Sequence, residues 1–503
     1  MLSRSLHLVL ATSAMAICSA QNTPNLDSLD AYLGRSLKAF EQPGLAVGIV
    51  KDGRLIWSKG YGKLDIAKPE AVTPNSLFYC ASISKAFTAC AIGLLVDEGK
   101  LDWNDAVRIH MPEFATPLPY VTEQFLVKDL LCHRSGWITF DGDLLWYGTH
   151  YDQQEILRRH AQEPMTLPFR DEFGYSNLMF IAAAQLIEKV SGMPYDRFIT
   201  TRIFQPLGME RSRVQSSDVA AMTDVALPHV RKGQNPKAPL RTMPYQALEG
   251  ADGACGVISS VNDLAKWDAM WADEGKANGK AFLQPETYEM ITSAHLAMGD
   301  ESAGLGWFIN EAYGNQVITH SGGMPGFVLN HAVVPGKDLA VIALGNGETS
   351  AVFAATNRIL NLYLGDGKLD PVANMLPRVA KRQEREAQRV AARQSAHVLK
   401  TKPSLPPSDY TGTYTDKIYG DATITEKNGQ LVLSFVPAPE LFTGTLGHWH
   451  YDTFEWQHAD PFLEPGYITF AFDADHHVTG FKVDLHSPDF HFWKLDFVKQ
   501  QGR

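Results

Sequence analysis

Ser82 and Lys85 stand three positions apart in the run Ser82-Ile83-Ser84-Lys85, a spacing that could make a serine nucleophilic. A serine hydroxyl attacks a carbonyl carbon only when a neighbouring group takes its proton. Residues i and i+3 share one face of a helix, so the lysine amine would lie beside the hydroxyl. Burial disfavours the charged ammonium and lowers its pKa, which would let Lys85 act as a base. This short pattern is common by chance, but here it opens an apolar helix that follows a strand-like segment.

A second group of polar residues, Tyr175-Ser176-Asn177, precedes a predicted helix over Leu178–Ser191. A tyrosine phenol could relay a proton to a leaving group, and an asparagine amide could bind a substrate carbonyl. The alternative interpretation is structural, because asparagine and serine are common helix caps.

The third group is Thr319-His320-Ser321-Gly322-Gly323, at the predicted end of a strand. Glycines there would let a substrate backbone lie against the sheet edge, and the Gly323 N–H could complete an oxyanion hole with that of Ser82. A simple exit from strand to loop would also explain the glycines.

The order and spacing of the three groups resemble the serine β-lactamase-like fold group. That group contains class C β-lactamases, DD-carboxypeptidases, D-aminopeptidases and related esterases, with S-x-x-K, Y-x-N and [KH]-[ST]-G motifs. The resemblance covers roughly Leu26 to Leu364 and includes the stretches Val127–Gly136, Gly253–Gly256, Ser259–Leu264 and Gly322–Phe327. It implies three catalytic residues, Ser82, Lys85 and Tyr175. It also implies substrate or oxyanion contacts from Asn177, His320, Ser321, Gly322 and Gly323.

His320 departs from the lysine that begins the third motif in classical β-lactamases and DD-carboxypeptidases. The resemblance gives that lysine a role in binding a substrate carboxylate. A histidine is a weaker cation that can switch near neutral pH, which favours peptide or ester substrates over β-lactams.

The arrangement of apolar segments over residues 26–365 predicts an α+β domain. Its antiparallel sheet would pair the first strands, Gly44–Val50 and Arg54–Trp57, with strands near Gln316–His320, Phe327–Val334 and Leu339–Leu344. Helices would flank the sheet and form a separate helical region, as in β-lactamases and transpeptidases.

Beyond residue 365 the composition changes twice. Residues 366–407 are rich in charge, which predicts a solvated, partly helical linker. Residues 408–503 alternate apolar and polar positions and predict a small β-barrel. The stretch Gly447–Phe454 is similar to one in a lipocalin-like domain, and its histidines are expected to pack the barrel or its contact with the catalytic domain.

The composition is that of a soluble globular protein, with 45% hydrophobic and 20% charged residues. A net charge of −11 argues against a nucleic-acid or anionic-membrane partner. Residues 1–20 have the pattern of a signal peptide cleaved near Ala20, which predicts a secreted or periplasmic protein. No other apolar run is predicted to be long enough to span a membrane. The four later cysteines have no zinc spacing and are expected to be small buried residues; no metal or organic cofactor is implied.

Three functions fit these motifs. The first is a peptidase or amidase, acting on a small peptide or amide through an acyl-enzyme. The second is a carboxylesterase of the same fold, which would share every motif. The third is a penicillin-binding or sensor protein that acylates and turns over slowly. Aromatic residues between Trp137 and Tyr151 are expected to line the cleft and favour apolar substrate groups.

Overall fold

The computed structural model describes residues 24–214, 219, 222–246 and 248–500. The predicted signal peptide lies outside the described residues. Within them no helix combines the length and the apolar composition that crossing a membrane requires.

The α-helices of the described residues all lie before residue 411. In order they are α1 (Asp27–Ala39), α2 (Ser84–Asp97), α3 (Val107–His110), α4 (Pro119–Gln124), α5 (Gln153–His160), α6 (Asn177–Ser191), α7 (Tyr195–Ile199), α8 (Gln205–Leu207), α9 (Asp252–Cys255), α10 (Val261–Ala272), α11 (Pro285–Thr292), α12 (Ala351–Leu364), α13 (Pro371–Ser395) and α14 (Pro407–Tyr410).

The strands before residue 350 belong to one large sheet and several small ones. They are β1 (Gly44–Lys51), β2 (Arg54–Gly62), β3 (Phe78–Tyr79), β4 (Arg213–Val214), β5 (His229–Val230), β6 (Arg241–Thr242), β7 (Val257–Ser259), β8 (Lys276–Ala277), β9 (Lys280–Ala281), β10 (Leu296–Ala297), β11 (Ser302–Ala303), β12 (Phe308–Ala312), β13 (Asn315–Met324), β14 (Phe327–Val334) and β15 (Leu339–Gly345).

The large sheet has the strand order β10-β11-β12-β13-β14-β15-β1-β2 and is antiparallel throughout. The first strand therefore pairs with the last, with Leu45 opposite Gly345, which confirms the predicted α+β layout. Helices α1 and α12 cover one face of β1, and α10 covers the other. Burial on both faces explains why β1 is a continuous apolar run rather than an alternating one.

The helical region is built around α2, which is apolar on all sides and buried from Ser84 to Leu95. Helix α6 packs against α2 and begins at Asn177, because the Ser176 hydroxyl accepts a hydrogen bond from the Met179 N–H at 3.3 Å. The predicted cap of α10 is also present, since the Ser260 hydroxyl accepts a hydrogen bond from the Asp263 N–H at 3.3 Å.

The charged segment after the large sheet contains one long helix, α13, of 25 residues. Asp370 caps it by accepting a hydrogen bond from the Ala373 N–H at 3.3 Å. Only Pro371 and Val372 are buried, so most of the helix is accessible to solvent.

The C-terminal strands form a closed antiparallel barrel, which confirms the predicted all-β segment. They are β16 (Gly412–Asp416), β17 (Gly420–Lys427), β18 (Gln430–Phe435), β19 (Thr443–His450), β20 (Thr453–His458), β21 (Gly466–Phe472), β22 (Val478–Asp484) and β23 (Asp496–Lys499). Aromatic rings fill the interior, among them Phe435 and Trp456, whose centroids are 4.8 Å apart. In the Gly447–Phe454 stretch, Phe454 packs against Phe470 inside the barrel, with centroids 5.6 Å apart. Trp449 contacts Tyr467 of the barrel and also stacks on His397, after α13, with centroids 3.8 Å apart.

Candidate active site

Ser82 lies on the floor of a cleft between the large sheet and the helical region. It belongs to a 3₁₀ turn, Ala81–Ile83, that precedes α2, so the α-helix starts two residues later than predicted. Ala81 has a φ of 47°, an uncommon conformation for a residue with a Cβ. Such strain is typical of sites where a side chain must project sharply from the backbone.

Lys85 is fully buried beside Ser82, with its Nζ 3.1 Å from the serine Oγ. The same nitrogen donates to Asn177 Oδ1 at 2.6 Å and to the Ala254 carbonyl at 3.0 Å. Burial lowers the pKa of Lys85 to about 7. A neutral amine would use its two hydrogens on Asn177 and Ala254, which leaves its lone pair facing the serine hydroxyl.

The side-chain amide of Asn177 connects Lys85 to the carboxyl of Asp143, a residue outside the three sequence motifs. Its Nδ2 donates to Asp143 Oδ2 at 2.6 Å. Burial raises the pKa of the Asp143 carboxyl to about 8, against the opposing effect of the Asn177 hydrogen bond. Asn177 therefore acts within the protein's own network, and one Nδ2 hydrogen remains for a substrate carbonyl.

Tyr175 lies on the other side of the serine, with its ring centroid 4.9 Å from Lys85 Nζ. The ring stacks on His133 at 4.1 Å between centroids, and His133 Nδ1 accepts a hydrogen bond from the Ser176 N–H at 3.1 Å. Burial raises the pKa of the Tyr175 phenol, whose hydroxyl lies beside that of Ser82. The phenol is therefore a proton donor at neutral pH.

His320 is buried to 1% exposure, and the structure corrects its expected charge. Burial lowers the pKa of His320 to about 3, and the nearby Lys85 adds to this effect. The expectation of a switchable cation is therefore wrong, because this imidazole is neutral at any pH near 7. Its Nδ1 donates to the Ser321 carbonyl at 2.7 Å, which leaves Nε2 as an acceptor with no partner among the described residues.

The third motif also differs from its predicted local structure, since β13 continues through Met324 instead of ending at the glycines. Gly322 must be a glycine, because a Cβ there would lie 2.3 Å from the Cys80 carbonyl oxygen. Ser321 and Gly323 are exposed and line the cleft. Close contact between β13 and the Ala81–Ile83 turn thus brings the third motif to Ser82.

One edge of β13 is open beside the serine. Strand β12 pairs with β13 only up to Phe308 opposite Thr319, whereas β14 pairs with β13 through Met324. An extended substrate could form backbone hydrogen bonds with this free edge, as a peptide does when it adds to a sheet.

The cleft opens into a continuous cavity of about 1350 Å³ that is also lined by residues of α1, α13 and the barrel. Of the aromatic residues expected to line it, Phe140 and Trp146 do so. Trp137 is buried instead and donates to the Glu163 carbonyl at 2.9 Å. The Tyr151 hydroxyl donates to the Tyr419 carbonyl of the barrel at 2.8 Å.

Several residues of the site escaped the sequence analysis. In the sequence, the only signal for Asp143 is its position just before an apolar run, Leu144–Trp146. The structure shows that this run is buried. The carbonyl of Ala254 belongs to a family-like stretch, but a backbone group has no residue-type signal. Gly253 lets this stretch approach α6, because a Cβ there would lie 2.3 Å from the Phe180 carbonyl oxygen.

Cys80, Cys90, Cys132 and Cys255 are buried and free, as expected for small apolar residues. In the part of the chain that the structure describes, no group of three or more His, Cys, Asp or Glu side chains is arranged to hold a metal ion.

Comparison with known sequences identifies the family to which this chain belongs. The profile of the beta-lactamase family matches residues 30–365. The chain belongs to the beta-lactamase family. Members of this family share the β-lactamase fold and are generally hydrolases, which confirms the resemblance drawn from the three motifs. A second profile, a domain of unknown function named DUF3471, matches residues 396–499.

Two relatives in the beta-lactamase family are 30% identical to this chain. One is the unguisins hydrolase ungD' of Aspergillus campestris, aligned over 420 residues that make up 78% of this chain and 76% of the relative. The other is penicillin-binding protein 4* of Bacillus subtilis, aligned over 295 residues that make up 55% of this chain and 62% of the relative.

Solved structures of the family support the fold. The octameric penicillin-binding protein homologue from Pyrococcus abyssi has a TM-score of 0.62 at 21% identity, covering 94% of this chain and all of that one. A D-stereospecific amidohydrolase from a Streptomyces species has a TM-score of 0.54 at 20% identity, covering 66% of this chain and 98% of that one.

Proposed function

We propose that this protein is an exported serine hydrolase that cleaves amide or ester bonds through an acyl-enzyme on Ser82. The observation that carries the proposal is the buried amine of Lys85, 3.1 Å from the Ser82 hydroxyl. Burial lowers the pKa of Lys85 to about 7, so a large fraction of the amine is neutral at physiological pH and can accept the serine proton.

The reaction would proceed in two halves. Ser82 Oγ attacks the substrate carbonyl carbon while its proton passes to Lys85 Nζ, and the N–H groups of Ser82 and Gly323 stabilise the oxyanion. The Tyr175 phenol gives its proton to the leaving amine or alkoxide and recovers one from Lys85. Water then attacks the acyl carbon while Lys85 again takes a proton. The bond from the acyl carbon to Ser82 Oγ breaks as Lys85 returns that proton to the serine oxygen, and the free enzyme is restored.

Peptides and amides are the substrate class that the cleft favours. The volume of the cavity into which it opens, about 1350 Å³, far exceeds that of a single amino acid, and the free edge of β13 offers backbone hydrogen bonds to an extended chain. Ser321 and the second Nδ2 hydrogen of Asn177 would orient the acyl part. The neutral His320 supplies no positive charge for a substrate carboxylate. Two of the compared proteins bear the names unguisins hydrolase and D-stereospecific amidohydrolase; both names agree with hydrolysis, and the second agrees with an amide substrate.

A panel of substrates tests this proposal. Purified protein would be assayed with p-nitrophenyl esters, L- and D-aminoacyl amides, short peptides and nitrocefin, and each activity compared with that of Ser82→Ala. Ser28→Ala, on the exposed face of α1, is the matched control. We expect Ser82→Ala to lose amide and ester turnover and fluorophosphonate labelling, while the control retains both. Unchanged turnover in Ser82→Ala would refute the proposal.

The same assays separate the alternatives. Ester turnover without amide turnover would assign the protein as a carboxylesterase. A labelled β-lactam that stays bound for hours, without turnover of either class, would instead indicate a penicillin-binding or sensor protein.

Export is a separate part of the proposal. It rests on the apolar run Leu6–Ile17, the Arg4 before it and the small residues up to Ala20. Expression of the full chain, followed by N-terminal sequencing of secreted or periplasmic protein, would give a mature start near Gln21. Recovery of the uncleaved chain in the cytoplasm alone would contradict it.

A further inference from the structure

The C-terminal barrel contacts the same short segment that carries Asp143. This segment, residues 140–147, is here called the Asp143 segment. It is joined to the nucleophile through Asp143, Asn177 and Lys85, and its Phe140 N–H donates to the Tyr175 carbonyl at 2.8 Å. Two side-chain contacts tie it to the barrel.

The first contact is a buried ion cluster around Lys494, which lies between β22 and β23. Its Nζ is 2.6 Å from Asp141 Oδ1 and 2.6 Å from Glu163 Oε1. The side chains of Asp141 and Glu163 are 1% and 10% exposed, and that of Lys494 is 21% exposed. Removing one partner from a buried charge cluster leaves the others uncompensated, so this contact holds its elements firmly.

The second contact joins Tyr147 to the loop between β20 and β21. The Tyr147 hydroxyl donates to Asp460 Oδ2 at 2.9 Å, and Asp460 Oδ1 accepts the N–H groups of Phe462 and Leu463. The Tyr147 ring also stacks on Phe490 of the barrel, with centroids 3.9 Å apart. The two contacts hold the Asp143 segment at both ends, at Asp141 and at Tyr147.

Asp143 itself has no contact with the barrel among its hydrogen bonds, but it lies between the two anchored residues. Movement of the segment would pull its carboxyl from Asn177, and Asn177 also orients the amine of Lys85. It would further admit water around an amine whose pKa is lowered by burial.

We propose that the C-terminal barrel is a positioning element of the catalytic site, which fixes the Asp143 segment through Lys494 and Asp460 and so keeps Lys85 buried and aligned with Ser82. Lys494 and Tyr147 are positioning residues in this proposal, since neither touches the reacting atoms. The inference rests on the proposed function, because it concerns the proton acceptor of Ser82.

The test measures the rate at which a fluorophosphonate labels Ser82 as a function of pH, in the full-length protein. In Lys494→Met the Asp143 segment loses one anchor, water reaches Lys85, and its pKa returns towards the ordinary lysine value. We expect the rising limb of the profile to move to higher pH by roughly one unit. The plateau rate should fall roughly tenfold, as misalignment of catalytic groups predicts.

Lys482→Met is the matched control, because Lys482 forms an exposed ion pair with Asp496 at 2.7 Å on the same barrel. Its profile should coincide with that of the wild type. A purely structural role of Lys494 would lower the melting temperature without moving the pH limb of the folded fraction, and that result would overturn the inference. An unchanged limb and rate in folded Lys494→Met would overturn it as well.

Tyr147→Phe covers the case in which Lys494→Met does not fold. It removes only the hydrogen bond to Asp460 and keeps the stacked ring, so a shift of the limb in the same direction but smaller is expected. A folded Tyr147→Phe with the wild-type limb would then refute the inference. Ser82→Ala separates the two proposals: if it still labels, the proposed function fails, whereas failure of the Lys494 and Tyr147 variants alone removes only the role of the barrel.

Discussion

Asp143 and Asn177 form a 2.6 Å hydrogen bond directly beneath the amine of Lys85, which in turn donates to Asn177 Oδ1. The amide thus connects a buried amine to a buried carboxyl, two groups whose pKa values burial moves in opposite directions, to about 7 and about 8. Near neutral pH both groups are partly neutral, so the amide can connect them without two full charges in the interior.

Asn177→Leu should therefore damage both stability and activity. It removes one hydrogen-bond partner from a buried amine and one from a buried carboxyl, at a cost of about 1–3 kcal/mol each. We expect a lower melting temperature and a fall in kcat on the order of 100-fold, since Lys85 is no longer aligned. Asn374→Leu on the exposed face of α13 is the control for the change of side chain. Wild-type kcat in Asn177→Leu would contradict the network.

The rate of acylation should rise with pH through about 7. In the proposed mechanism the neutral amine of Lys85 is the active form. Burial places its pKa at about 7, so protonation at lower pH would remove the base. A profile of kcat/KM for the wild type would show this limb. Lys85→Arg should be inactive across the whole range, because a guanidinium stays charged. A flat profile through pH 7 would argue against Lys85 as the base.

His320→Lys should destabilise the protein. The side chain at this position is 1% exposed and close enough to Lys85 for their charges to interact, so a second ammonium would be buried beside the first. We expect a loss of about 3 kcal/mol at neutral pH. The folded-state pKa of the new lysine would be lowered, so the loss should shrink as pH rises towards about 10.4, the pKa of an exposed lysine.

Thermal unfolding at several pH values checks this prediction, and Gln316→Lys, exposed on the same strand, is its control. A melting temperature for His320→Lys equal to that of the control would show that the position tolerates a charge.

Gly322→Ala should separate the third motif from the nucleophile. A Cβ at this position would lie 2.3 Å from the Cys80 carbonyl, so β13 must move away from the turn that carries Ser82. Overpacking of this kind costs about 1–3 kcal/mol, and the displaced Gly323 N–H should lower kcat more than it raises KM. Gly336→Ala, with open space around its Cβ position, is the control. Full activity of Gly322→Ala would show that the contact is loose.

The fold could be predicted largely from local patterns. The apolar β1, the amphipathic or wholly apolar helices and the alternating barrel strands each carry a period that a short window reveals. The predicted ends of helices and strands were less accurate where contacts outside that window decided them. Strand β13 continues through Gly323 because β14 pairs with it there, and α2 starts late because the Ala81–Ile83 turn precedes it.

For the site, the sequence predicted the residues that occur in motifs but not those that are joined to them only by long-range contacts. Ser82, Lys85, Tyr175 and Asn177 occur in motifs with fixed spacing, and the structure brings them together. Asp143 lies 34 positions before Asn177 and has no such pattern, so only the folded chain shows its hydrogen bond.

The sequence by itself determined which groups are available, namely a serine, an amine, a phenol and a glycine-bearing strand, and the order in which they occur. The tertiary structure decided their states. It buries Lys85 and His320, which lowers their pKa values to about 7 and about 3, and it sets the barrel against the Asp143 segment. These properties depend on desolvation and on contacts between distant parts of the chain, which no local spacing encodes.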